Sequence, residues 1–149
     1  MSAITPPRTD RGKPKAIPGE DTAGILLTTA ARADETARNP WPARDLALVA
    51  TFLVTGIRLS EAVALNLGSL DGPAGARRLV VIGKGNKART VPIEDSLEDL
   101  LLRYLAERLD RFPGLRLDDL RQPLFVRTDS GARFSRQQVE YLVDRLYRR

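Results

Sequence analysis

The sequence of 149 residues contains neither cysteine nor histidine. These absences exclude disulfide bonds, thiol nucleophiles, zinc sites with Cys or His ligands, and acid–base catalysis by imidazole. Any reaction would have to use Arg, Lys, Tyr, Ser, Thr, Asp or Glu side chains. The sequence also has no apolar run near the roughly 18–20 residues that cross a membrane, and no apolar segment of signal-peptide length at its start. We therefore expect a cytoplasmic protein with no membrane partner.

Lysine is scarce as well. Only Lys13, Lys15, Lys84 and Lys87 are present among 24 basic residues, so 24 − 4 = 20 are arginine. The formal net charge is +5, and a balance of this sign favours a polyanionic partner such as nucleic acid. An arginine-rich coding bias would give the same composition, so charge alone leaves nucleic acid binding open.

The domain organisation follows from length and composition. A chain of this size with 42% hydrophobic residues predicts one globular domain with a core of its own. Its first 16 residues combine three prolines and a glycine with four basic side chains, which is typical of a flexible tail or linker. We therefore divide the chain into a basic tail at residues 1–16 and a domain at residues 17–149.

Apolar residues at the helical period predict four long helices and one short one. Gly56 is expected to end the second helix in a left-handed conformation, and Ser60 is expected to cap the short third helix. Ser135 and Gln138 form the S-x-x-Q pattern of a capping box at the start of the last helix. The predicted helices cover about residues 19–33, 43–55, 60 to 66–68, 94–111 and 135–149.

Two short β-type runs, RRLVVI at 77–82 and ARTVPI at 88–93, flank the sequence GKGNK. Glycine and asparagine tolerate positive φ, so the pattern predicts a β-hairpin. The run LFV at 124–126 could add a third strand to it. The predicted fold class is α+β, predominantly α-helical, with a small antiparallel β-sheet built on the hairpin at 77–93.

Arg58 stands in the otherwise apolar stretch LVTGIRLSEAVAL, at the junction between two predicted helices. Such a junction points free backbone N–H groups outward and favours an anion. A guanidinium beside them adds a planar fork of donors that matches phosphate oxygens. Glu61, three residues later, is placed to hold that guanidinium in one orientation. The alternative is a surface salt bridge worth about 0–1 kcal/mol.

The turn GKGNK holds two of the four lysines of the chain. It is not a phosphate-binding P-loop, because the G-x-x-x-x-G-K-[ST] order is absent and the turn lies between strands. A lysine can donate a proton during catalysis, whereas an arginine essentially cannot. Lys84 or Lys87 is therefore a candidate proton donor, and solvated charges at a hairpin tip are the alternative.

Together the two motifs resemble those of the tyrosine recombinases, the phage-integrase family. The pattern T-G-x-R-x-S-E-x-x-x-L occupies residues 55–65, and G-K-G-N-K-x-R-x-V-P occupies residues 83–92. The separation of Arg58 and Lys84, 84 − 58 = 26 residues, is similar to that in the family. The segments RGKPKAIPGEDTAGIL and PLFVRTDSGARFSRQQVEYLV also resemble family sequences. The likeness therefore covers nearly the whole chain beyond the tail.

The resemblance implies recombination or integration of double-stranded DNA without a metal or other cofactor, as in phages and mobile elements. In the family, a tyrosine hydroxyl attacks a phosphodiester and forms a 3′-phosphotyrosyl link. Arg58 matches the arginine that stabilises charge on the phosphoryl oxygens, and Lys84 matches the lysine that protonates the leaving 5′-oxygen. Glu61 matches the acidic residue that orients the arginine. Family members act as tetramers on DNA, which makes a homo-oligomer an expectation here.

Four further hairpin residues are predicted DNA contacts, with solvated surface charges or polar groups as the alternative. They share a location on the predicted hairpin: Arg78, Asn86, Lys87 and Arg89.

The chain departs from the family pattern in lacking the H-x-x-R block and an assignable nucleophile. Tyr104 lies on a core-facing helical stripe, and Tyr141 and Tyr147 lie on the last predicted helix. We therefore expect the N-terminal portion of a catalytic domain, with Arg58 and Lys84 but no nucleophile in this chain, that does not cleave DNA on its own. The alternatives are a shortened integrase-like DNA-binding protein or regulator, and a folded remnant that binds no DNA.

Overall fold

The computed structural model describes residues 20–35 and 37–148. The predicted basic tail at 1–16 lies outside the described residues. Five α-helices and three strands are described, together with two short 3-10 turns at Leu67–Ser69 and Lys84–Asn86. In chain order the elements are α1 (Glu20–Ala30), α2 (Pro42–Thr55), α3 (Leu59–Ala64), β1 (Leu70–Asp71), β2 (Arg78–Ile82), β3 (Ala88–Pro92), α4 (Asp95–Arg111) and α5 (Arg136–Arg148).

Helix α2 is the central helix and packs against both α1 and α4. Pro42 occupies its first turn, where the missing N–H is not needed. Gly56 ends the helix with φ 72° and donates its N–H to the Phe52 carbonyl at 2.9 Å. The predicted left-handed termination at Gly56 is therefore confirmed, and it turns the chain directly into the Arg58 junction.

Helix α3 begins at Leu59, one residue before the predicted start at residue 60. Its N-cap is Arg58 and not Ser60. The Glu61 carboxylate accepts the Arg58 backbone N–H at 2.9 Å, which satisfies a donor that the start of a helix leaves free. This bond from the third helical residue fixes the helix start at Leu59, so the prediction of Ser60 as the cap was wrong.

The three strands form one antiparallel sheet in the order β1-β2-β3. Leu79 and Val81 of β2 are buried, while Arg78 and Ile82 are exposed, as the alternation of a half-buried strand requires. In the β2–β3 register Leu79 pairs with Val91. The hairpin predicted at 77–93 is therefore confirmed, and β3 is an edge strand.

The third strand of the sheet is β1, not residues 124–126 as the sequence suggested. Leu124, Phe125 and Val126 are all fully or almost fully buried. Their backbone pairs elsewhere: the Leu124 N–H donates to the Leu65 carbonyl at 2.9 Å, and the Phe134 N–H donates to the Phe125 carbonyl at 3.2 Å. The short apolar run lies in the core, and its hydrogen bonds tie it to the α3 exit and not to the hairpin.

The main core lies between α2, α4 and the buried face of the sheet. Tyr104 of α4 is fully buried, and its ring centroid lies 5.3 Å from that of Trp41 and 5.5 Å from that of Phe125. The core-facing stripe predicted for Tyr104 is buried along its length, and it comprises Leu97, Leu101, Tyr104 and Leu105. The predicted fold class, α+β with a predominance of helix and a small antiparallel sheet, is confirmed.

Helix α5 closes the described part of the chain. Ser135 and Gln138 form the predicted capping box, because the Ser135 N–H donates to the Gln138 side chain at 2.9 Å and the Gln138 N–H donates to Ser135 Oγ at 3.1 Å. Val139 and Leu146 are its buried residues. None of the helices in residues 20–35 and 37–148 combines the length and apolarity that a bilayer crossing needs.

Candidate functional site

Arg58 presents an exposed side chain at the junction between α2 and α3. Its backbone is held tightly, because Gly56 fixes the preceding turn and Glu61 accepts the Arg58 N–H. Within residues 20–35 and 37–148, no hydrogen bond or ion pair engages its guanidinium. The result is a free cationic fork on a fixed backbone, which suits binding of an external anion.

The Glu61 carboxylate pairs with Arg89 of β3, not with the Arg58 guanidinium as predicted. Arg89 Nη1 lies 2.9 Å from Glu61 Oε2, and Arg89 Nη2 lies 3.0 Å from Oε1. Glu61 is buried, while the Arg89 side chain is about half exposed (48%). Since Oε1 already accepts the Arg58 N–H, this one carboxylate joins the start of α3 to the hairpin.

The electrostatics of this pair follow from its geometry. The Arg89 hydrogen bonds are the strongest influence lowering the pKa of Glu61; burial opposes them, and the N–H and charge of Arg58 lower it further. In turn, the Glu61 carboxylate raises the pKa of Arg89. Glu61 is therefore ionised at neutral pH, and its charge is balanced locally.

The turn that carries Lys84 lies against the same carboxylate. Gly83 donates its N–H to the Lys87 carbonyl at 2.9 Å, and Asn86 donates its N–H to the Gly83 carbonyl at 3.1 Å. Gly85 and Asn86 both adopt positive φ, at 75° and 62°, as the composition of the turn predicted. A Cβ at Gly83 would lie 3.0 Å from Glu61 Oε2. The Arg58 backbone and the turn that carries Lys84 therefore both lie against the Glu61 carboxylate.

The other predicted contacts lie on the same hairpin with different surroundings. Lys84, Asn86 and Lys87 are exposed, and in the part of the chain that the structure describes their side chains make no hydrogen bond or ion pair. Arg78 is also exposed but bonds Asp71 on the neighbouring strand, Nη2 to Oδ2, at 2.8 Å. Four cationic side chains, of Lys84, Lys87, Arg78 and Arg89, are therefore carried by one hairpin.

The three tyrosines have different surroundings, and the Tyr141 hydroxyl accepts a hydrogen bond from Arg145 Nη1 at 3.2 Å. The Tyr104 hydroxyl donates to the Leu124 carbonyl at 2.7 Å and accepts the Val126 N–H at 3.1 Å. Burial raises the pKa of Tyr104 to about 12. Tyr141 and Tyr147 are exposed on α5. Tyr104 is a core residue, as its position on the helical stripe predicted.

Arg133 is a supporting residue that sequence reasoning missed. Its Nη1 donates to the carbonyls of Val63 at 2.9 Å and Leu65 at 3.0 Å, and its Nη2 donates to Asn66 Oδ1. These acceptors lie at the carboxyl end of α3, where helical carbonyls lack partners. Arg133 therefore anchors the helix that follows Arg58. A lone arginine in a loop, among 20 in the chain, gives no sequence signal for this role.

A separate cleft of about 490 Å³ lies between the loop before α2 and helix α5. Trp41, Arg44, Phe134 and Tyr141 are among its lining residues, and none of the predicted site residues lines it. Within the described residues, no group of three or more acidic side chains is arranged to hold a metal ion. The Arg58–hairpin site itself presents exposed arginine and lysine side chains.

Comparison with known proteins places the chain in a family. Residues 23–149 match the model of the phage integrase family. The tyrosine recombinase XerC of Rhodospirillum centenum is 37% identical over 107 residues, covering 71% of this chain and 30% of the relative. The tyrosine recombinase XerD of Mycobacterium leprae is 31% identical over 141 residues, covering 92% of this chain and 42% of the relative.

Solved structures show the same fold. A pre-cleavage complex of the XerH site-specific recombinase bound to difH substrate aligns with a TM-score of 0.62 at 25% identity, covering 87% of this chain and 36% of that chain. The XerA recombinase aligns with a TM-score of 0.63 at 23% identity, covering 87% of this chain and 41% of that chain. The chain spans about a third of the length of the curated relatives it matches. With a family match over residues 23–149, the chain belongs to the phage integrase family.

Proposed function

We propose that this chain supplies the first arginine and the hairpin lysine of a DNA strand-transfer site, in a protein that performs site-specific recombination or integration. Arg58 is assigned to the phosphoryl oxygens of the scissile phosphodiester and Lys84 to the departing 5′-oxygen. One observation carries the proposal: the Glu61 carboxylate contacts the Arg58 backbone and lies against Gly83, the residue before Lys84. The Arg58 motif and the Lys84 turn, which are distant in sequence, therefore meet at the Glu61 carboxylate.

The proposed chemistry requires cations and a proton donor. A tyrosine hydroxyl releases its proton to solvent as its oxygen attacks phosphorus, the bond from phosphorus to the 5′-oxygen breaks, and a 3′-phosphotyrosyl link remains. Negative charge rises on the phosphoryl oxygens, and a preorganised guanidinium stabilises it. The leaving 5′-oxygen takes a proton from Lys84, since an alkoxide is a poor leaving group. We assign the tyrosine to no residue of this chain.

Double-stranded DNA is the proposed partner. A net charge of +5 and the exposed cations of the hairpin support it, and the structural neighbour XerH is described as bound to its difH substrate. Arg78, Asn86 and Lys87 are proposed phosphate contacts on the same hairpin as Lys84. Assembly as a homo-oligomer on DNA and a cytoplasmic location form part of the same proposal, as does the assignment of residues 17–149 to part of a catalytic domain.

A second function, DNA binding without cleavage, is favoured by the surroundings of Tyr104. The Tyr104 hydroxyl is buried and committed to two backbone bonds. The site described here would then bind a phosphate without breaking it, as in a shortened integrase-like protein or regulator.

Both functions are tested with the 149-residue chain and a labelled duplex. A gel-shift titration should show binding that weakens steeply as salt rises, because each phosphate contact releases counterions. Absence of binding at low ionic strength would contradict both functions. A suicide substrate then separates them: a covalent protein–DNA adduct that is lost on changing one tyrosine to phenylalanine would overturn the assignment of no nucleophile to this chain.

A further inference from the structure

We propose that Arg89 is a positioning residue, whose ion pair with Glu61 fixes the lysine turn relative to Arg58, and that it is not a phosphate contact. The inference deepens the proposed function, on which it rests for the roles of Arg58 and Lys84. It replaces the expectation from sequence that Arg89 contacts DNA directly.

The bonding capacity of the two groups supports this role. Arg89 uses both terminal nitrogens on the two oxygens of Glu61, at 2.9 and 3.0 Å. This end-on bidentate pair uses two of the five N–H donors of the guanidinium and fixes its orientation. The charge of Arg89 is already balanced by a buried carboxylate, so a phosphate would gain less from Arg89 than from an unpaired cation. Without Arg89, Glu61 would keep only its bond to the Arg58 N–H.

The position of the Glu61–Arg89 pair in the fold explains why the hairpin needs a connection to α3. Strand β3 is an edge strand, and four of its five residues are exposed. The turn at Lys84–Asn86 has no buried side chain to anchor it. The pair between Glu61 and Arg89 therefore joins this exposed end of the hairpin to α3 by two hydrogen bonds. It sets the distance between the lysine turn and Arg58.

Gly83 gives independent support. Its φ of −103° is open to any residue, so conformation does not explain a glycine here. A Cβ would meet Glu61 Oε2 at 3.0 Å and Arg89 Nη1 at 3.2 Å, both tighter than ordinary contacts. The absence of a side chain at Gly83 is what lets the turn pack on the ion pair.

The test uses backbone dynamics of the 149-residue chain measured by NMR without DNA. R89Q and R89K both remove the bidentate pair, and R89K keeps the charge. R78Q is the matched control, because Arg78 lies on the same hairpin and pairs with exposed Asp71. We expect order parameters for Lys84–Asn86 to fall from about 0.85 towards 0.6 in both Arg89 variants and in G83A, and to stay unchanged in R78Q.

A pH titration in the same samples gives a readout specific to the pair. The Arg58 amide N–H donates a hydrogen bond to the Glu61 carboxylate, so its NMR signal reports the ionisation of Glu61. The charged groups facing Glu61 are Arg89 and Arg58. In R89Q the titration midpoint of that amide signal should rise, and in R78Q it should not move.

Binding to DNA distinguishes the two roles of Arg89. A positioning residue predicts that R89K loses affinity while the slope of log K against log salt stays the same. The inference is wrong if R89K keeps both the DNA affinity and the order of the turn, while in R89Q the slope of log K against log salt becomes shallower by about 0.9, the value for one phosphate. Arg89 would then be a phosphate contact. Failure of the unaltered chain to bind DNA would count against the proposed function, while the order parameters still decide the role of the pair.

Discussion

The carboxylate of Glu61 and the guanidinium of Arg89 form two hydrogen bonds, of 2.9 and 3.0 Å, between helix α3 and the edge strand β3. The same carboxylate accepts the Arg58 N–H. One buried acidic side chain thus holds together the two sequence motifs that identify the family. The stability of the protein and the geometry of its candidate site depend on the same group.

The first prediction concerns the acid sensitivity of that group. Because the folded-state pKa of Glu61 lies below its ordinary value, ionised Glu61 stabilises the fold above the unfolded-state pKa and loses this effect as pH falls through the folded-state pKa. E61Q should cost about 1 kcal/mol at pH 7, a modest value because Arg89 is half exposed.

Thermal unfolding between pH 3 and 7 checks this prediction. The gap in Tm between the unaltered chain and E61Q should be widest near pH 7 and should close below pH 4.5, the ordinary value. E140Q is the control, since Glu140 forms an exposed pair with Arg136 on α5. A gap that does not change with pH would contradict the account of Glu61.

The second prediction concerns Tyr104. Y104F removes a hydroxyl that donates to the Leu124 carbonyl and accepts the Val126 N–H in the core. Leaving these backbone groups unpaired should cost about 1–3 kcal/mol of unfolding free energy, measured by urea denaturation. DNA affinity below the unfolding range should not change. A variant of undiminished stability that no longer bound DNA would place Tyr104 in the site.

The third prediction concerns the turn before Arg58. Gly56 has φ 72° with no atom within 4 Å of a Cβ, so G56A should destabilise the protein through backbone strain alone, by about 1–2 kcal/mol. G24A is the matched substitution, because Gly24 lies inside helix α1 with equally open space. Alanine there should stabilise by about 0.5–1 kcal/mol. Equal effects of the two changes in denaturant midpoint would refute the conformational argument.

Local sequence signals predicted most of the fold because local forces determine those elements. Gly56 and the Ser135–Gln138 capping box were predicted correctly, since backbone conformation and helix-end donors involve only near neighbours. Residues 124–126 were assigned to the wrong partner. Their apolar character indicates burial, but only tertiary packing decides that they pair near Leu65 and Arg133.

In the candidate site, too, sequence predicted what local motifs determine and missed what tertiary packing determines. The motifs single out Arg58 and Lys84, but the partner of Glu61 depends on how the hairpin folds back on α3. Position in sequence favoured Arg58, three residues away, whereas the structure gives Arg89, 28 residues away. Arg133 left no sequence signal, because two of its three acceptors are backbone carbonyls, which every residue possesses.

The most direct test of the central claim, that Arg58 and Lys84 act on one phosphate, is a double-mutant cycle in DNA binding. The affinities of the unaltered chain, R58A, K84A and R58A/K84A are measured for one duplex at one salt concentration. Two cations on a single phosphate should couple, with an interaction energy of about 0.5 kcal/mol or more. Losses that simply add, or variants that bind as tightly as the unaltered chain, would contradict the claim.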